Sequence, residues 1–441
     1  MPTRFPVFTR MFTGSPATGF RDLHFLTSFT FKWLLIALTA GVLAGSASAW
    51  FLLSLETVTG WRGQHPGLIW LLPLAGLLIG CMYHFYGKEV VKGNNQLIEE
   101  IQNPRKIIPL VMAPLVYLGT VITHLFGGSA GREGTAVQMG GAFADQLTRV
   151  FRLRSRDRKV VLICGISAGF ASVFGTPLAG AVFGLEVFVI GSMVYGAILP
   201  CFLSAVIADL VCRAWGAGHT PYAVSMVPEL GAAGILLSVA AGILFGMTAR
   251  GFAGLNHFLA DVFRRIQFPP LRPFAGGLLL LLLFWMIGDP RYQGLGIPAI
   301  TEAFSVQQNW YVFLVKLGLT ALTLGAGFKG GEVTPLFFIG ATLGSALSVV
   351  FPLPVSLLAA MGLTAVFAGA ANTPIACVLL GIELFGADSA VYIAIACVVS
   401  YLFSGHTGIY GSQVIGHSKL DLLVRDQNRS LLVIRQRKMK P

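Results

Sequence analysis

A run of 47 residues, 336–382, contains no Asp, Glu, Lys or Arg. The stretches 33–55, 160–185, 187–208, 230–249 and 389–416 also lack all four. Inside a bilayer no water satisfies backbone polar groups, so a spanning segment must bond to itself as a helix or close into a barrel. A spanning helix needs about 20 mostly apolar residues. Apolar runs of this length and number predict an all-α polytopic membrane protein. Composition agrees, with 55% hydrophobic and 11% charged residues, against roughly 25% charged in a soluble domain. A water-soluble globule, a disordered chain and a collagen-like fibre are excluded.

The net charge of +12 invites a nucleic-acid reading, but its placement argues against one. Basic residues cluster between apolar blocks: Arg149, Arg152, Arg154, Arg156, Arg158 and Lys159, then Arg264, Arg265 and Arg272. The first 32 residues add Arg4, Arg10, Arg21 and Lys32, and the tail adds Lys419, Arg425, Arg429, Arg435, Arg437, Lys438 and Lys440. Segments 56–62, 213–229 and 289–302 are poorer in positive charge. This is the positive-inside pattern, which places both termini in the cytoplasm. The interleaved aromatics of a nucleic-acid groove are sparse, so no nucleic-acid partner is expected; the bilayer is the partner. Residues 1–30 read as a cytoplasmic lead-in without signal-peptide layout. Residues 417–441 read as a basic cytoplasmic tail, too short for a regulatory domain. One transmembrane domain, 31–416, lies between them, with halves at about 31–215 and 229–416.

Apolar segments fall near 32–56, 67–86, 107–127, 135–150, 160–175, 177–194, 195–214, 229–250, 274–288, 311–327, 334–351, 355–371, 374–386 and 389–404. Several are too short to cross, and many are broken by Gly or Pro. Glycine accounts for 53 of 441 residues, above the ~7% of an average protein. Small-residue helix packing enriches glycine. So do helices that stop partway across the membrane, which are tolerated where backbone lines an enclosed cavity. Both are expected here.

An internal repeat sharpens this. Residues 165–188 (GISAGFASVFGTPLAGAVFGLEVF) and 362–385 (GLTAVFAGAANTPIACVLLGIELF) align at a constant offset of 197. The matched pairs include Phe170/Phe367, Thr176/Thr373, Pro177/Pro374 and Glu186/Glu383. Each copy follows a glycine-rich turn, GGSAGREGT at 127–135 and GAGFKGGEVTP at 325–335. Two homologous halves with broken helices fit a transporter whose substrate sits at the repeat interface.

The chemistry concentrates on those turns. Glu133 lies between Gly131 and Gly134, and a carboxylate at membrane depth usually faces a cavity on an ion or proton path. Exposed turn N–H groups, with a helix expected to begin near Thr135, make an anion site. Glu133 is itself an anion, so it can occupy that site when ionised and leave when protonated, coupling proton binding to anion release. The plainer alternative is a capping glutamate paired with Arg132. In the second turn Pro335 favours a helix start, so the N–H groups of Glu332, Val333 and Thr334 face inward. There Glu332 is as well explained by capping as by transport. Glu186 and Glu383, at equal repeat positions, read as structural or cytoplasm-facing. His124 and His406 read as packing or hydrogen-bonding groups, since no carboxylate or Cys stands at ligand spacing. The six cysteines (Cys81, Cys164, Cys201, Cys212, Cys377, Cys397) read as buried packing residues. No metal, cofactor or enzymatic activity is expected. Ser129 near His124 is the one loose nucleophile–base candidate, and intramembrane carboxylates are too few for a cation transporter.

Together GREGT, GGEVTP, the paired Thr-Pro helices and HTGIYGSQ (406–413) resemble the CLC family of chloride channels and proton-coupled antiporters over roughly residues 30–415. The resemblance implies two inverted halves of tilted, broken helices, and a homodimer with one anion pathway per subunit. Glu133 becomes the external gating glutamate. An external anion site uses the N–H groups of Arg132, Glu133, Gly134, Val333 and Thr334. A central site uses those of Glu332 and Val333 plus the Tyr410 hydroxyl. Three departures from the chloride members stand out. Gly93-Asn94-Asn95-Gln96-Leu97 replaces the GSGIP loop, putting Asn94 at the serine position. Val187 replaces the proton-relay glutamate, and Gly331-Glu332-Val333-Thr334-Pro335 replaces GxFxP. All three resemble the fluoride-exporting branch, in which Glu332 and Thr334 matter for coupling. A proton-coupled fluoride exporter in the inner membrane of a prokaryote is expected, with a chloride/proton antiporter or chloride channel of the same fold as the alternative. An Asn amide offers two donors to strip the strongly hydrated fluoride ion.

Overall fold

Proline and glycine cut the chain into helices of very unequal length. The computed structural model describes residues 16–420 and 426–439. Residues 1–15 of the expected lead-in, and Arg425 and Lys440 of the tail, lie outside them. The first half comprises α1 (Pro16–Gln64), α2 (Leu72–Phe85), α3 (Asn94–Gln102), α4 (Met112–Leu125), α5 (Glu133–Val150), α6 (Ser155–Phe174), α7 (Pro177–Glu186) and α8 (Ile198–Ala214). The second comprises α9 (Ala232–Arg264), α10 (Leu271–Ile287), α11 (Ile297–Glu302), α12 (Val312–Gly325), α13 (Val333–Leu347), α14 (Val355–Ala371), α15 (Pro374–Phe385) and α16 (Ala390–Phe403). A last helix, α17 (Leu431–Met439), lies in the tail. Among the described residues, four helical stretches are long and apolar enough to cross a membrane: Thr27–Gln64, Pro66–Phe85, Tyr195–Ala214 and Ala232–Arg264. The other apolar helices have 10–17 residues.

Several elements differ from the sequence expectation, two of them at α1 and α3. α1 starts at Pro16 rather than near residue 32, because no proline interrupts the chain until Pro66. α3 falls in no apolar segment. It is short and amphipathic, burying Leu97, Ile98 and Ile101 and leaving polar groups on its other faces.

The repeat is visible helix by helix. α6 ends at Gly175 (φ 73) and α14 at Asn372 (φ 59), both left-handed and 197 residues apart. Gly and Asn are the residues that tolerate that conformation at a helix C-terminus. Each is followed by Thr-Pro, with Pro177 and Pro374 in the first turn of α7 and α15. Neither threonine caps its own helix. Instead Glu186, at the end of α7, accepts hydrogen bonds from Ile375 N (3.2 Å) and Ala376 N (2.9 Å) at the start of α15. Glu383, near the end of α15, accepts from Leu178 N (2.9 Å) and Ala179 N (2.8 Å) at the start of α7. The exchange makes α7 and α15 antiparallel and satisfies amides that a helix start leaves unpaired. Both glutamates are structural.

Close packing follows the same symmetry. α5 meets α6 through Gly140 and Gly165, and α13 meets α14 through Gly340 and Gly362. In each pair a Cβ on either glycine would fall inside the contact distance of the other's carbonyl oxygen. With no solvent-driven force between helices in lipid, such close backbone approach supplies the packing energy.

One buried cluster of charge is paired. Arg158, read from sequence as one of a loop cluster, is buried and bonds Asp145 through Nε and Nη2 (2.8 Å each) and Glu100 through Nη1 (3.0 Å). The end of the domain and the tail are also engaged. Val414–Ile415 pairs in parallel with Val189–Ile190, Leu431 and Ile434 pack on Ile190 and Ile415, and Arg435 bonds Asp261 at 2.7 Å. Cys164 and Cys201 lie side by side, with sulfurs 3.9 Å apart.

Gly362→Ala forces α13 and α14 apart and should cost about 1–3 kcal/mol, whereas Gly318, with open space around it, should accept alanine without loss. Thermal unfolding of the two variants in detergent checks this; equal melting temperatures would contradict the packing account.

Candidate functional site

The two glycine-rich turns lie antiparallel. Gly131 N donates to Gly331 O at 2.7 Å, and Gly331 N donates to Gly131 O at 2.8 Å. This reciprocal pair brings together the N-termini of α5 and α13, each with unpaired N–H groups and the positive end of a helix dipole. α5 begins at Glu133 itself, not at Thr135, whose hydroxyl is spent on Thr120 (2.6 Å). The glutamate therefore stands at the first helical position, where its carboxylate can fold back over the turn.

It does so, fully buried. Glu133 Oε2 accepts from Arg132 N (3.1 Å) and Thr334 N (3.0 Å), one amide from each turn. The Thr334 hydroxyl donates to Oε1. Arg132 Nε stands 3.8 Å from Oε1, an ion-pair distance. A carboxylate thus occupies donors arranged for an anion. The glycines make the approach possible: a Cβ on Gly331 would lie 2.7 Å from Gly134 N and 3.0 Å from Glu133 N, and one on Gly131 would lie 2.8 Å from Glu133 Oε2. Val333 opens α13, buried beside Thr334.

Further groups converge on the far side of Gly134. A Cβ there would sit 3.0 Å from Asn94 Nδ2 and 3.6 Å from Glu332 Oε2. Asn94 Oδ1 and Glu332 Oε2 are buried with no hydrogen-bond partner among the described residues. Gly93, at φ 56, makes the turn that presents Asn94 at the start of α3. Asn94, Tyr410, Val187 and Phe183 line a small cavity of about 10 Å³, the scale of one water or one small ion. On the other side, Arg132, Glu133, Thr334, Thr220, Tyr222 and Phe337 line a second pocket of about 20 Å³. A much larger cleft, about 1360 Å³, includes Lys32, Arg152, Arg154, Arg156 and Lys159. It also touches Ile101 and Ile163, one helical turn from Ile98 and Ile166 of the Asn94 cavity. Basic walls of this kind concentrate anions.

All eight expected site residues, Glu133, Glu332, Thr334, Asn94, Tyr410, Arg132, Gly134 and Val333, therefore fall on these turns and the cavity beside them. Ser129 and His124, the loose nucleophile–base candidate, are each bonded to other groups. Ser129 bonds Thr320 Oγ1 (2.9 Å), and His124 bonds the carbonyls of Thr120 and Ala130. Sequence reasoning missed an aromatic wall running from Phe174 through Phe337, Phe367 and Phe170 to Phe183, with successive centroids 4.2–6.1 Å apart. In sequence Phe170 and Phe367 show only as repeat mates. It also missed Gln413, which donates to Val187 O (2.6 Å) and Ala371 O (2.7 Å), and Lys316, fully buried against Tyr292 O and Gly294 O. A lysine inside the apolar run 311–327 was the available signal for the latter.

The voltage gated chloride channel family profile matches residues 75–405. The chain belongs to the CLC family. It is 56% identical over 401 residues to a chloride/fluoride channel protein of Pseudomonas syringae pv. tomato, covering 89% of each chain. It is 28% identical over 390 residues to the H(+)/Cl(-) exchange transporter ClcA of Vibrio parahaemolyticus, covering 81% of this chain and 83% of that one. Among solved structures, a CLC-type fluoride/proton antiporter superposes with a TM-score of 0.84 at 37% identity, over 87% of this chain and 98% of that one. A slow cyanobacterial Cl-/H+ antiporter shares the fold, with a TM-score of 0.75 at 18% identity, over 92% and 97% of the two chains. The CLC fold, with its two inverted halves, is thus the fold of this protein.

Glu133→Gln keeps the shape of the side chain but cannot cycle a proton. In proteoliposomes it should abolish anion-driven proton movement while anion flux persists, read by paired pH and anion electrodes. Undiminished proton movement would remove Glu133 from the coupling.

Proposed function

We propose that this protein is a fluoride/proton antiporter that exports fluoride, works as a homodimer with one pathway per subunit, and lies in the inner membrane of a prokaryote with both termini in the cytoplasm. The observation that carries the reading is the Glu133 carboxylate seated on one amide from each turn. An ionised Glu133 competes with fluoride for those donors, and a protonated Glu133 releases them.

The remaining roles follow from position. Fluoride gathers in the basic cleft and enters the Asn94–Tyr410 cavity, where an amide and a phenolic hydroxyl replace lost hydration. Removing water from a small anion is costly without strong donors, and the cavity is small enough to favour the smaller halide. Val187, facing that cavity, cannot carry a proton. Glu332 is a carboxyl that can, since its Oε2 lies on the same side of Gly134 as the Asn94 amide, while Glu133 Oε2 lies beside Gly131 and Gly331. Thr334, through its amide and hydroxyl, holds Glu133 in the outer position. The antiporter at 37% identity supports the coupled reading. The relative whose name carries both chloride and fluoride makes halide preference the point to test.

The test is halide-loaded proteoliposomes followed with fluoride and chloride electrodes. Fluoride should leave readily and chloride far more slowly; comparable rates for the two would overturn fluoride specificity and favour a chloride transporter or channel.

A further inference from the structure

Ser412, two residues beyond Tyr410, has every polar group engaged by a single helix. Its N–H donates to Asn95 Oδ1 (2.9 Å), its hydroxyl donates to Glu99 Oε1 (3.0 Å), and its carbonyl accepts from Gln102 Nε2 (3.0 Å). Asn95, Glu99 and Gln102 stand at i, i+4 and i+7 on α3, which places them along one face. One stripe of this short helix is thus devoted to a residue more than 300 positions downstream. The helix begins at Asn94, the amide that shares a cavity with Tyr410.

Other bonds make the attachment rigid. Gln102 Nε2 also donates to Phe188 O (2.9 Å), next to Val187 of the same cavity. Glu99 Oε2 takes Lys92 Nζ at 2.7 Å, just before the Gly93 turn. Glu100 fastens α3 to Arg158, and through it to Asp145 on α5. Beyond Ser412, Gln413 ties the segment to Val187 O and Ala371 O. The two cavity groups come from opposite ends of the sequence, and Ser412 is where their elements join.

We propose that Ser412 is a positioning residue: its three bonds to the Asn95–Glu99–Gln102 face of α3 set the gap between the Asn94 amide and the Tyr410 hydroxyl, and so the size of halide that the cavity accepts. This rests on the reading of Asn94 and Tyr410 as anion ligands. Ser412 touches no anion. A narrow gap grips fluoride, whereas a slack one loses grip on fluoride and admits chloride.

The test measures fluoride KM, turnover and the fluoride-to-chloride rate ratio in proteoliposomes. Ser412→Ala should raise the fluoride KM and lower the ratio about tenfold, the equilibrium equivalent of one lost hydrogen bond to a carboxylate, with turnover little changed. Ser412→Thr, which keeps all three groups, should restore both. Asn95→Ala, which cuts the contact from the other side, should reproduce the loss and serves if Ser412→Ala does not fold. In a Tyr410→Phe background Ser412→Ala should add nothing, because residues acting through one group are non-additive. An equal effect in both backgrounds, or a fall in turnover with KM and ratio unchanged, overturns the positioning role. Tyr410→Phe and Asn94→Ala alone report on the underlying reading: if both leave fluoride KM untouched, the anion-site assignment fails and the positioning role with it.

Discussion

Two hydrogen bonds between Gly131 and Gly331 hold the starts of two broken helices together inside an apolar protein, and the other features of the site depend on them. Neither turn alone could hold a desolvated anion. Each offers a few amides and a fraction of a charge at its dipole end, while burying a full charge without partners is prohibitive. Joined, they offer one amide from each side to a single carboxylate. The absence of side chains at the bridge is what lets the amides meet, since a Cβ at either glycine would stand in the occupied space.

The same logic of shared ends governs the helices around the site. α7 and α15 each leave amides exposed at a Thr-Pro start, and each receives the missing acceptor from the last residues of the other. Carboxylates here do two different jobs at helix N-termini. Glu186 and Glu383 are locked on amides of a partner helix as permanent caps. Glu133 sits at the mouth of its own helix and lines the small pocket shared with Thr220 and Tyr222, where departure is possible. Burial of Arg158 with Asp145 and Glu100 shows a third use of charge, which anchors α3 and with it the cavity wall.

The sequence is most informative where chemistry is local. Charge-free runs marked three of the four long apolar stretches, all but Pro66–Phe85, and the longest run fell on shorter helices; the constant offset of 197 marked the repeat. Carboxylates on glycine-rich turns marked the site, because such residues are expensive in apolar surroundings. It is least informative where partners are distant. Nothing in EVFVI or GIELF says that Glu186 and Glu383 cap each other's helices, since that depends on how inverted halves face. α3 forms no apolar segment because its polar groups bind elsewhere, and Ser412 looks like an ordinary loop serine until its three partners stand around it. α5 starts at Glu133, two residues before the expected Thr135. GREG reads as a turn, whereas the structure makes the glutamate the first helical residue, and that shift gives the carboxylate its reach.

The central claim is that an ionised Glu133 and a transported anion compete for the same N–H groups. Calorimetric titration of fluoride into the detergent-solubilised protein, from mildly acidic to mildly alkaline pH, tests it most directly, with Glu133→Gln as the reference. If the account holds, wild-type affinity rises as pH falls, because each protonated Glu133 vacates its donors, while the variant binds fluoride tightly with no such slope. A wild-type affinity indifferent to pH, or the same slope in both proteins, would contradict it.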